Sequence, residues 1–435
     1  MPDLLTRLDL RGTTGDLAAL LPAPGPAPDG PVDAVRAILA QVRAGGDGAL
    51  RELTEQFDGI ALGDVAVPAS DIRAALDSIP AALRTAYEAA ADAIGSYHRT
   101  QLHADATHTH AGVVVRDRRQ PVDRAGCYVP GGLAPLASTV LMTAIPARVA
   151  GVAEVVLCSP PGPGGNPAAP ILAAAAIAGV DDVYRIGGAQ AIAAMAYGTE
   201  SVAPVDVVVG PGNVYVAVAE RIVAQEGVVG VPSSFPGPSE VAVVADDTTP
   251  VDFAAIDLVV QAEHGPGGWA WLVTWSEEAA RRIGVMVDAL AACSPRRESV
   301  TATLRSGGYV VLVDGPEQAM EVVNHIATEH LELMCADPES LVPLVRSAGA
   351  VFCGPWAPAS VGDYVAGPNH VLPTARTARF ASALRVDDFC KHLHVVSLDR
   401  DALAGLAPHV AAMAEAEGLP AHAASVGIRA AARGA

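Results

Sequence analysis

From position 32 to about 99, apolar residues recur every three or four positions with Asp and Glu on the other face, a spacing that predicts amphipathic helices. Before them, residues 1–22 read as a short amphipathic lead, and Pro22 to Pro31 as a Pro/Gly/Ala linker. His103, His108 and His110 lie in a polar stretch that reads as a solvated hairpin, since no carboxylate or further ligand is grouped with them. From about Val113 the pattern changes, and short β-branched runs alternate with Ala-rich helical runs. Strands are predicted at Glu154 to Cys158, Val183 to Ile186, Val205 to Val209, Val241 to Ala245, Trp271 to Thr274, Val310 to Val313 and Ala350 to Cys353. Ser159 to Pro167 reads as a turn and Ile171 to Ala178 as a helix. This alternation predicts a mostly parallel α/β sheet with ligands at the strand ends. There are too many units for one small sheet, so two α/β lobes are expected. After about Asp387 helical periodicity returns, in a segment with little core of its own. That predicts packing on another domain or another subunit.

Composition narrows the function. The chain has 435 residues, a net charge of −20 and 51% hydrophobic residues. Its length predicts two to four domains or subdomains. Lys391 is the only lysine; arginine supplies every other basic side chain. A phosphate loop ending in G-K-[ST] is therefore absent, and a Schiff base would have to use Lys391. The acidic balance, without a long basic run, excludes a nucleic-acid partner. No run of about 20 uninterrupted apolar residues occurs, so no membrane span is predicted. The start, Met1-Pro2-Asp3, lacks the pattern of a signal peptide. Six scattered cysteines with no C-x-x-C pair read as buried thiols of a reducing, cytoplasmic compartment.

Several polar groups stand out against this background. Gln261 and His264 share one face of a helix expected over Phe253 to His264, where they suit either a metal or an ordinary helix end. Glu329 and His330 place an acid beside an imidazole. His330 suits a general base, since its ordinary pKa is ~6.5, and equally a cation at a helix C-terminus. The stretch from Gly362 to Pro373 holds Asp363, Asn369 and His370 with two glycines and two prolines, and reads as an irregular loop. Asp363 there suits a metal ligand or an Asx-turn. Gly210-Pro-Gly-Asn213 and Pro236-Gly-Pro-Ser239-Glu240 read as turns between strand and helix that offer N–H groups to an anion. Glu415, Glu417 and His422 read as a helix end and turn.

Taken together and in order, these segments resemble the histidinol dehydrogenase family. The likeness runs from Cys127-Tyr-Val-Pro-Gly-Gly132 through Gly187-Gly-Ala-Gln190, Gly210-Pro-Gly-Asn213 and Gly237-Pro-Ser-Glu240. It continues through Gln261-Ala-Glu-His264, Glu329-His-Leu331, Gly362-Asp-Tyr364 and Asn369-His-Val-Leu-Pro-Thr374 to His422. The resemblance implies one Zn²⁺ per subunit, held by Gln261, His264, Asp363 and His422, and a catalytic pair, Glu329 and His330. It implies NAD⁺ contacts at Tyr128, Gln190 and Asn213. Substrate contacts would come from Ser239, Gln261, His264, Glu329, His330, Asp363, His370, Glu417 and His422. It implies oxidation of L-histidinol to L-histidine through bound L-histidinal with two NAD⁺, the last steps of histidine biosynthesis. The implied fold has two similar incomplete Rossmann-like lobes, a short N-terminal segment (1–22) and a helical C-terminal dimerisation tail (386–435). The first lobe would hold residues 25–127 and 240–385, and the second residues 128–239. The tail would complete the partner's site in an obligate homodimer.

The sequence departs from the family pattern at several places. Glu220 replaces a usual lysine. Val231 and Pro236 stand where Asp and Ala are usual, and Ala359 where some members carry Glu. Trp269, Trp271 and Trp275 crowd one segment. These departures bear on the substrate. Two other readings follow: a paralogue that oxidises another small polar alcohol, such as a sulfopropanediol, or a two-lobed binding protein without catalysis.

Overall fold

The computed structural model describes residues 4–13, 15–22, 31–131, 135–232, 237–265 and 267–432. In chain order, β1 (Thr6–Asp9) precedes α1 (Leu17–Leu20), α2 (Val32–Asp58), α3 (Ala69–Ser78) and α4 (Ala81–Arg99). Next come β2 (Ala106–His110), β3 (Val113–Pro121), β4 (Arg124–Tyr128), α5 (Ala137–Ala150), β5 (Glu154–Cys158), α6 (Ala169–Ala178) and β6 (Asp182–Tyr184). They are followed by α7 (Gly188–Tyr197), β7 (Val207–Val209), α8 (Val214–Gln225), β8 (Glu240–Ala245), α9 (Val251–Ala262), β9 (Trp269–Thr274), α10 (Glu277–Cys293) and α11 (Arg297–Gly307). The rest is β10 (Gly308–Leu312), α12 (Pro316–Ile326), β11 (His330–Met334), β12 (Ala350–Cys353), α13 (Ala359–Tyr364), β13 (Cys390–Leu398), α14 (Arg400–Ala416) and α15 (Pro420–Ala431).

Two parallel sheets carry the larger unit, residues 1–101 and 123–389. The smaller has the order β6-β5-β4-β7 and the larger β1-β10-β9-β8-β11-β12. The α/β class with parallel sheets is as the alternation predicted. Strands such as β8 (EVAVVA), buried along their whole length, have both faces covered by helices, which is why they are apolar without alternation. Each sheet reverses its order once, between β4 and β7 in the smaller and between β8 and β11 in the larger. Such reversals open a crevice that can admit a ligand.

Two expected boundaries are corrected. Residues 25–127 do not join 240–385. The apolar stripe of α2 (Val35, Ile38, Leu39, Val42, Leu50, Leu53) shares a core with Tyr128, Val156 and Cys158 of the smaller sheet. Helices α3 and α4 likewise pack on α5 and α6. Residues 1–22 are no separate lead either, because Thr6–Asp9 pairs with Tyr309–Leu312 as an edge strand of the larger sheet. Periodicity alone does not say which sheet an amphipathic helix will cover.

The second unit comprises residues 102–122 and 390–435. Its antiparallel sheet has the order β13-β3-β2, and α14 packs on α15. The hairpin expected around His108 and His110 is present, turned by Ala111 (φ 49°) and Gly112 (φ 76°). The tail is not wholly helical, however. Cys390–Leu398 is a nine-residue strand that pairs along all of β3. All six cysteines are free thiols. Among the described residues no helix is long and apolar enough to cross a membrane.

Candidate active site

The chemistry gathers at the N-terminal edge of the larger sheet. Helix α12 ends at Ala327, whose φ of 52° turns the chain sharply, and Thr328-Glu329 leads straight into β11. His330 is therefore the first residue of a buried strand, not the end of a helix. Ser239 and Glu240 stand at the start of the neighbouring β8, where Glu240 runs beside Trp269 of β9. The expectation of ligands at strand ends holds with a twist: the larger sheet offers the ends where its strands begin.

Glu329 is 7% exposed, and its Oε2 accepts hydrogen bonds from Ser239 Oγ at 2.6 Å and from the Glu240 N–H at 3.0 Å. A carboxylate held by two donors has a fixed orientation. His330 Nδ1 lies 3.1 Å from the Glu240 carbonyl oxygen, an acceptor that keeps a proton on Nδ1, so that once the ring is neutral Nε2 carries the lone pair. His330 Nε2 lies 3.5 Å from Asp363 Oδ1 and has no hydrogen-bond partner at good geometry. Burial works to lower the pKa of His330. The Glu329 charge and the nearby Asp363 carboxylate outweigh it and bring the imidazole up to about 9. Burial likewise works against the Asp363 carboxylate, but the nearby His330, with smaller effects of His370 and His264, holds it below its ordinary range. His370 is lowered by burial. Its Nδ1 meets the Asp363 carbonyl at 2.9 Å and its Nε2 meets Thr139 Oγ1 at 3.2 Å.

Ser239, His264, Glu329, His330, Asp363 and His370 all line one cleft of about 230 Å³. Its opposite wall is the Gly210-Pro211-Gly212 turn at the C-terminal end of β7, with Glu220 of α8. The cleft thus spans the switch point of the smaller sheet and the N-terminal edge of the larger. Gly210 sits at φ 124°, and a Cβ there would fall 2.1 Å from the Tyr128 carbonyl oxygen, so only glycine fits.

Some expected site residues sit elsewhere. Gln261 ends α9, is buried, and does not line the cleft; its Nε2 has no hydrogen-bond partner. Tyr128 is 3% exposed and its hydroxyl oxygen accepts the Gly188 N–H at 3.0 Å. Gln190 is buried in α7. Asn213 caps α8, its Oδ1 accepting from the Tyr215 and Val216 N–H groups. Asp363 is carried by the short helix α13 and not by an irregular loop. Glu417 and His422 belong to the second unit and are exposed, with His422 in the first turn of α15. Glu240 was read only as part of a turn offering N–H groups to an anion, and its N–H and carbonyl hold Glu329 and His330; Thr139 was missed altogether. Both act mainly through geometry that spacing cannot carry.

The family model for histidinol dehydrogenase matches residues 28–430. A histidinol dehydrogenase of Parasynechococcus marenigrum (strain WH8102) is 47% identical over 393 residues, covering 90% of this chain and 89% of its own. One from Thermobifida fusca (strain YX) is 44% identical over 99% of this chain and 98% of its own. The chain belongs to the histidinol dehydrogenase family. The crystal structure of a histidinol dehydrogenase from Elizabethkingia anophelis superposes with a TM-score of 0.93 at 34% identity, covering 98% of each chain. An NAD-dependent histidinol dehydrogenase acts on a CH–OH group, and here the buried acid, imidazole and second carboxylate converge on one cleft.

The departures from the histidinol dehydrogenase pattern now have places. Trp269, Trp271 and Tyr309 stack on one another with centroids 4.5–5.5 Å apart, and Trp275 packs on the core beside them. None of the three tryptophans lines the cleft. Val231 packs against the smaller sheet's core, and Pro236 lies outside the described residues. Ala359 donates its N–H to Glu332.

Among the described residues no three His, Cys, Asp or Glu side chains group around one point that could hold an ion. Asp363 and His264 nonetheless line the same cleft, and the unsatisfied Gln261 amide precedes His264 by three residues. An amide oxygen, a carboxylate and an imidazole suit zinc with open positions.

Proposed function

We propose that the cleft oxidises L-histidinol to L-histidine in two successive hydride transfers to NAD⁺, with L-histidinal held between them. The observation that carries this reading is the pairing of an oriented carboxylate, Glu329, with an imidazole whose Nε2 is left open. His330 takes the alcohol proton at Nε2 as a hydride leaves the carbinol carbon for NAD⁺. Glu329 then takes a proton from water as the water adds to the aldehyde, whose oxygen takes the proton held by His330; a second hydride leaves the resulting gem-diol for a second NAD⁺ as a hydroxyl proton passes back to His330. Ser239 and the Glu240 N–H keep Glu329 aimed throughout.

Gln261, His264, Asp363 and the partner's copy of the His422 position would hold one Zn²⁺ per subunit. Zinc there would supply a Lewis-acidic anchor for the substrate. With Asp363 engaged by a cation, its pull on His330 would weaken, and the imidazole would return toward the neutral form that a base requires. Tyr128 at the end of β4, Gln190 in the first turn of α7 and Asn213 at the cap of α8 would form the NAD⁺ side. His370 and Glu417 complete the substrate contacts.

A homodimer supports this arrangement. The second unit buries only Ala407 and Ala414 from its two helices, yet it exposes Val396, Met413 and Ile428 at 59%, 66% and 71%. An exposed apolar set on a thin unit is what a partner surface looks like. In this reading the tails cross between two Rossmann-like lobed subunits.

The test is a spectrophotometric assay with L-histidinol and NAD⁺, before and after chelation and zinc return. Two NADH per histidinol, lost with chelator and restored with zinc, is the expected outcome. Zinc-replete protein that gives no NADH from histidinol would move the assignment to another small polar alcohol.

A further inference from the structure

Glu332 is a charged residue in an apolar place. It is 1% exposed, in the middle of β11, beside Val243 of β8 and Phe352 of β12. Strand alternation puts it on the same face as His330 and Met334. Met334 on that face belongs to the core built from α9, α10 and α11. No arginine or lysine is among the groups that act on it most. Those are Asp257, on α9, and His330. Glu332 Oε1 accepts the Ala359 N–H at 2.8 Å. Its Oε2 meets no N–H or hydroxyl donor. The Asp257 carboxyl is the neighbouring acid that acts on it most, and burial pushes both acids upward, so that each favours holding a proton over carrying a charge.

A fold seeking stability alone would place a leucine here, because a buried acid pair without a cation costs more than an apolar side chain. What the pair does instead follows from its connections. Asp257 is four residues before Gln261 on α9, so the two share a helix face. Ala359, the first residue of α13, is four residues before Asp363. Glu332 is two residues after His330, one repeat of the strand pleat. Every connection of this buried node ends one helical turn, or one pleat period, from a residue of the site.

We propose that Glu332, buried in β11, bonded to the Ala359 N–H of α13 and facing Asp257 of α9, is a positioning residue that ties the three elements together and so sets the spacing of Gln261, His330 and Asp363. The proposal rests on the zinc reading above for what Gln261 and Asp363 hold. The carboxylic acid pair touches neither substrate nor cofactor; it acts through the backbone bond to Ala359 and through the helix face that carries Gln261.

The test compares Glu332→Gln, Glu332→Ala and Asp257→Ala with the wild type. Glutamine can still accept the Ala359 N–H and can donate to Asp257, so its zinc affinity and kcat should stay within about threefold of wild type. Alanine at either position should weaken zinc binding at least tenfold, measured by competition with a chromophoric chelator. It should lower kcat by a similar factor while KM for NAD⁺ stays unchanged. Hydrogen exchange in the zinc-free protein gives a reading independent of metal and activity. Amides of 359–364 and of the last turn of α9 should exchange faster in both alanine variants and at the wild-type rate in Glu332→Gln. Should Glu332→Ala fail to fold, the half-buried Asp257→Ala carries the same measurements. Alanine variants with wild-type zinc affinity and exchange would overturn the proposal, as would a glutamine variant as damaged as alanine. A wild type that takes up no zinc overturns the metal reading instead, and the exchange rates then decide the positioning role.

Discussion

The Ser239 hydroxyl lies 2.6 Å from Glu329 Oε2, and the N–H of the next residue, Glu240, reaches the same oxygen at 3.0 Å. One oxygen of Glu329, a residue that lines the cleft, is thus held by two donors. Removing the hydroxyl as Ser239→Ala deletes a bond to a charged acceptor, worth about 1.5–3 kcal/mol. Oxidation of L-histidinal should slow about tenfold or more, while the first hydride transfer changes less. Single-turnover NADH formation from each substrate checks this, and equal slowing of both steps would remove the special role of the Ser239 bond.

The two members of the proposed catalytic pair, Glu329 and His330, should separate kinetically. Glu329→Gln keeps an acceptor for Ser239 but loses the base for water, so it should stall at the aldehyde, with one NADH released quickly and the second formed at least a hundredfold more slowly. His330→Asn removes the Nε2 base and should slow both oxidations. Burst amplitudes in stopped-flow NADH formation distinguish the two, and unimpaired turnover in both variants would discard both roles.

Part of the candidate site was legible, and part, such as Gln261, does not line the cleft. Glu329, His330, Asp363 and His370 are short-range patterns, and the structure brings all four to one cleft. The α/β alternation was readable because buried parallel strands are β-branched runs. The placement of α2 was not readable, since its apolar stripe fits any sheet face of suitable width. Strand β13 was missed because KHLHVVSL mixes polar and apolar residues, as an exposed strand allows. Glu332 was invisible for the opposite reason: in the strand His-Leu-Glu-Leu-Met it looks like an ordinary outward acid, and only burial shows that it points into a core.

Gly210 makes a structural prediction about the cofactor side. Its φ of 124° and the 2.1 Å approach of a Cβ to the Tyr128 carbonyl leave no room for alanine. Gly210→Ala should cost about 3 kcal/mol or more and displace the turn that walls the cleft. Denaturant unfolding should show the loss, and KM for NAD⁺ should rise. Wild-type stability in this variant would contradict the close approach of β4 and β7.

The tryptophan stack should matter to stability and not to substrate choice. Trp271 is 2% exposed and stacks on both Trp269 and Tyr309. Trp271→Ala should cost roughly 3–5 kcal/mol, as large aromatic truncations in cores do. The fraction that remains folded should keep KM for L-histidinol within about twofold. A large rise in KM at low temperature, where the variant is folded, would place the stack against the substrate after all.

Glu220 ties stability to pH. It is 2% exposed in α8, and burial alone drives its carboxyl well above the ordinary range. The folded state therefore binds a proton more tightly than the unfolded chain. Its contribution is present in full below the unfolded value of about 4.3 and is lost progressively as pH rises toward the raised folded value. Glu220→Gln carries no such proton, so it should exceed wild type in stability at pH 8, by on the order of 1 kcal/mol or more, with the gap closing toward pH 5. Parallel denaturant titrations across that range read the difference. A gap that stays constant with pH would mean that Glu220 titrates in the folded protein as it does in the unfolded chain, and that burial does not hold its proton.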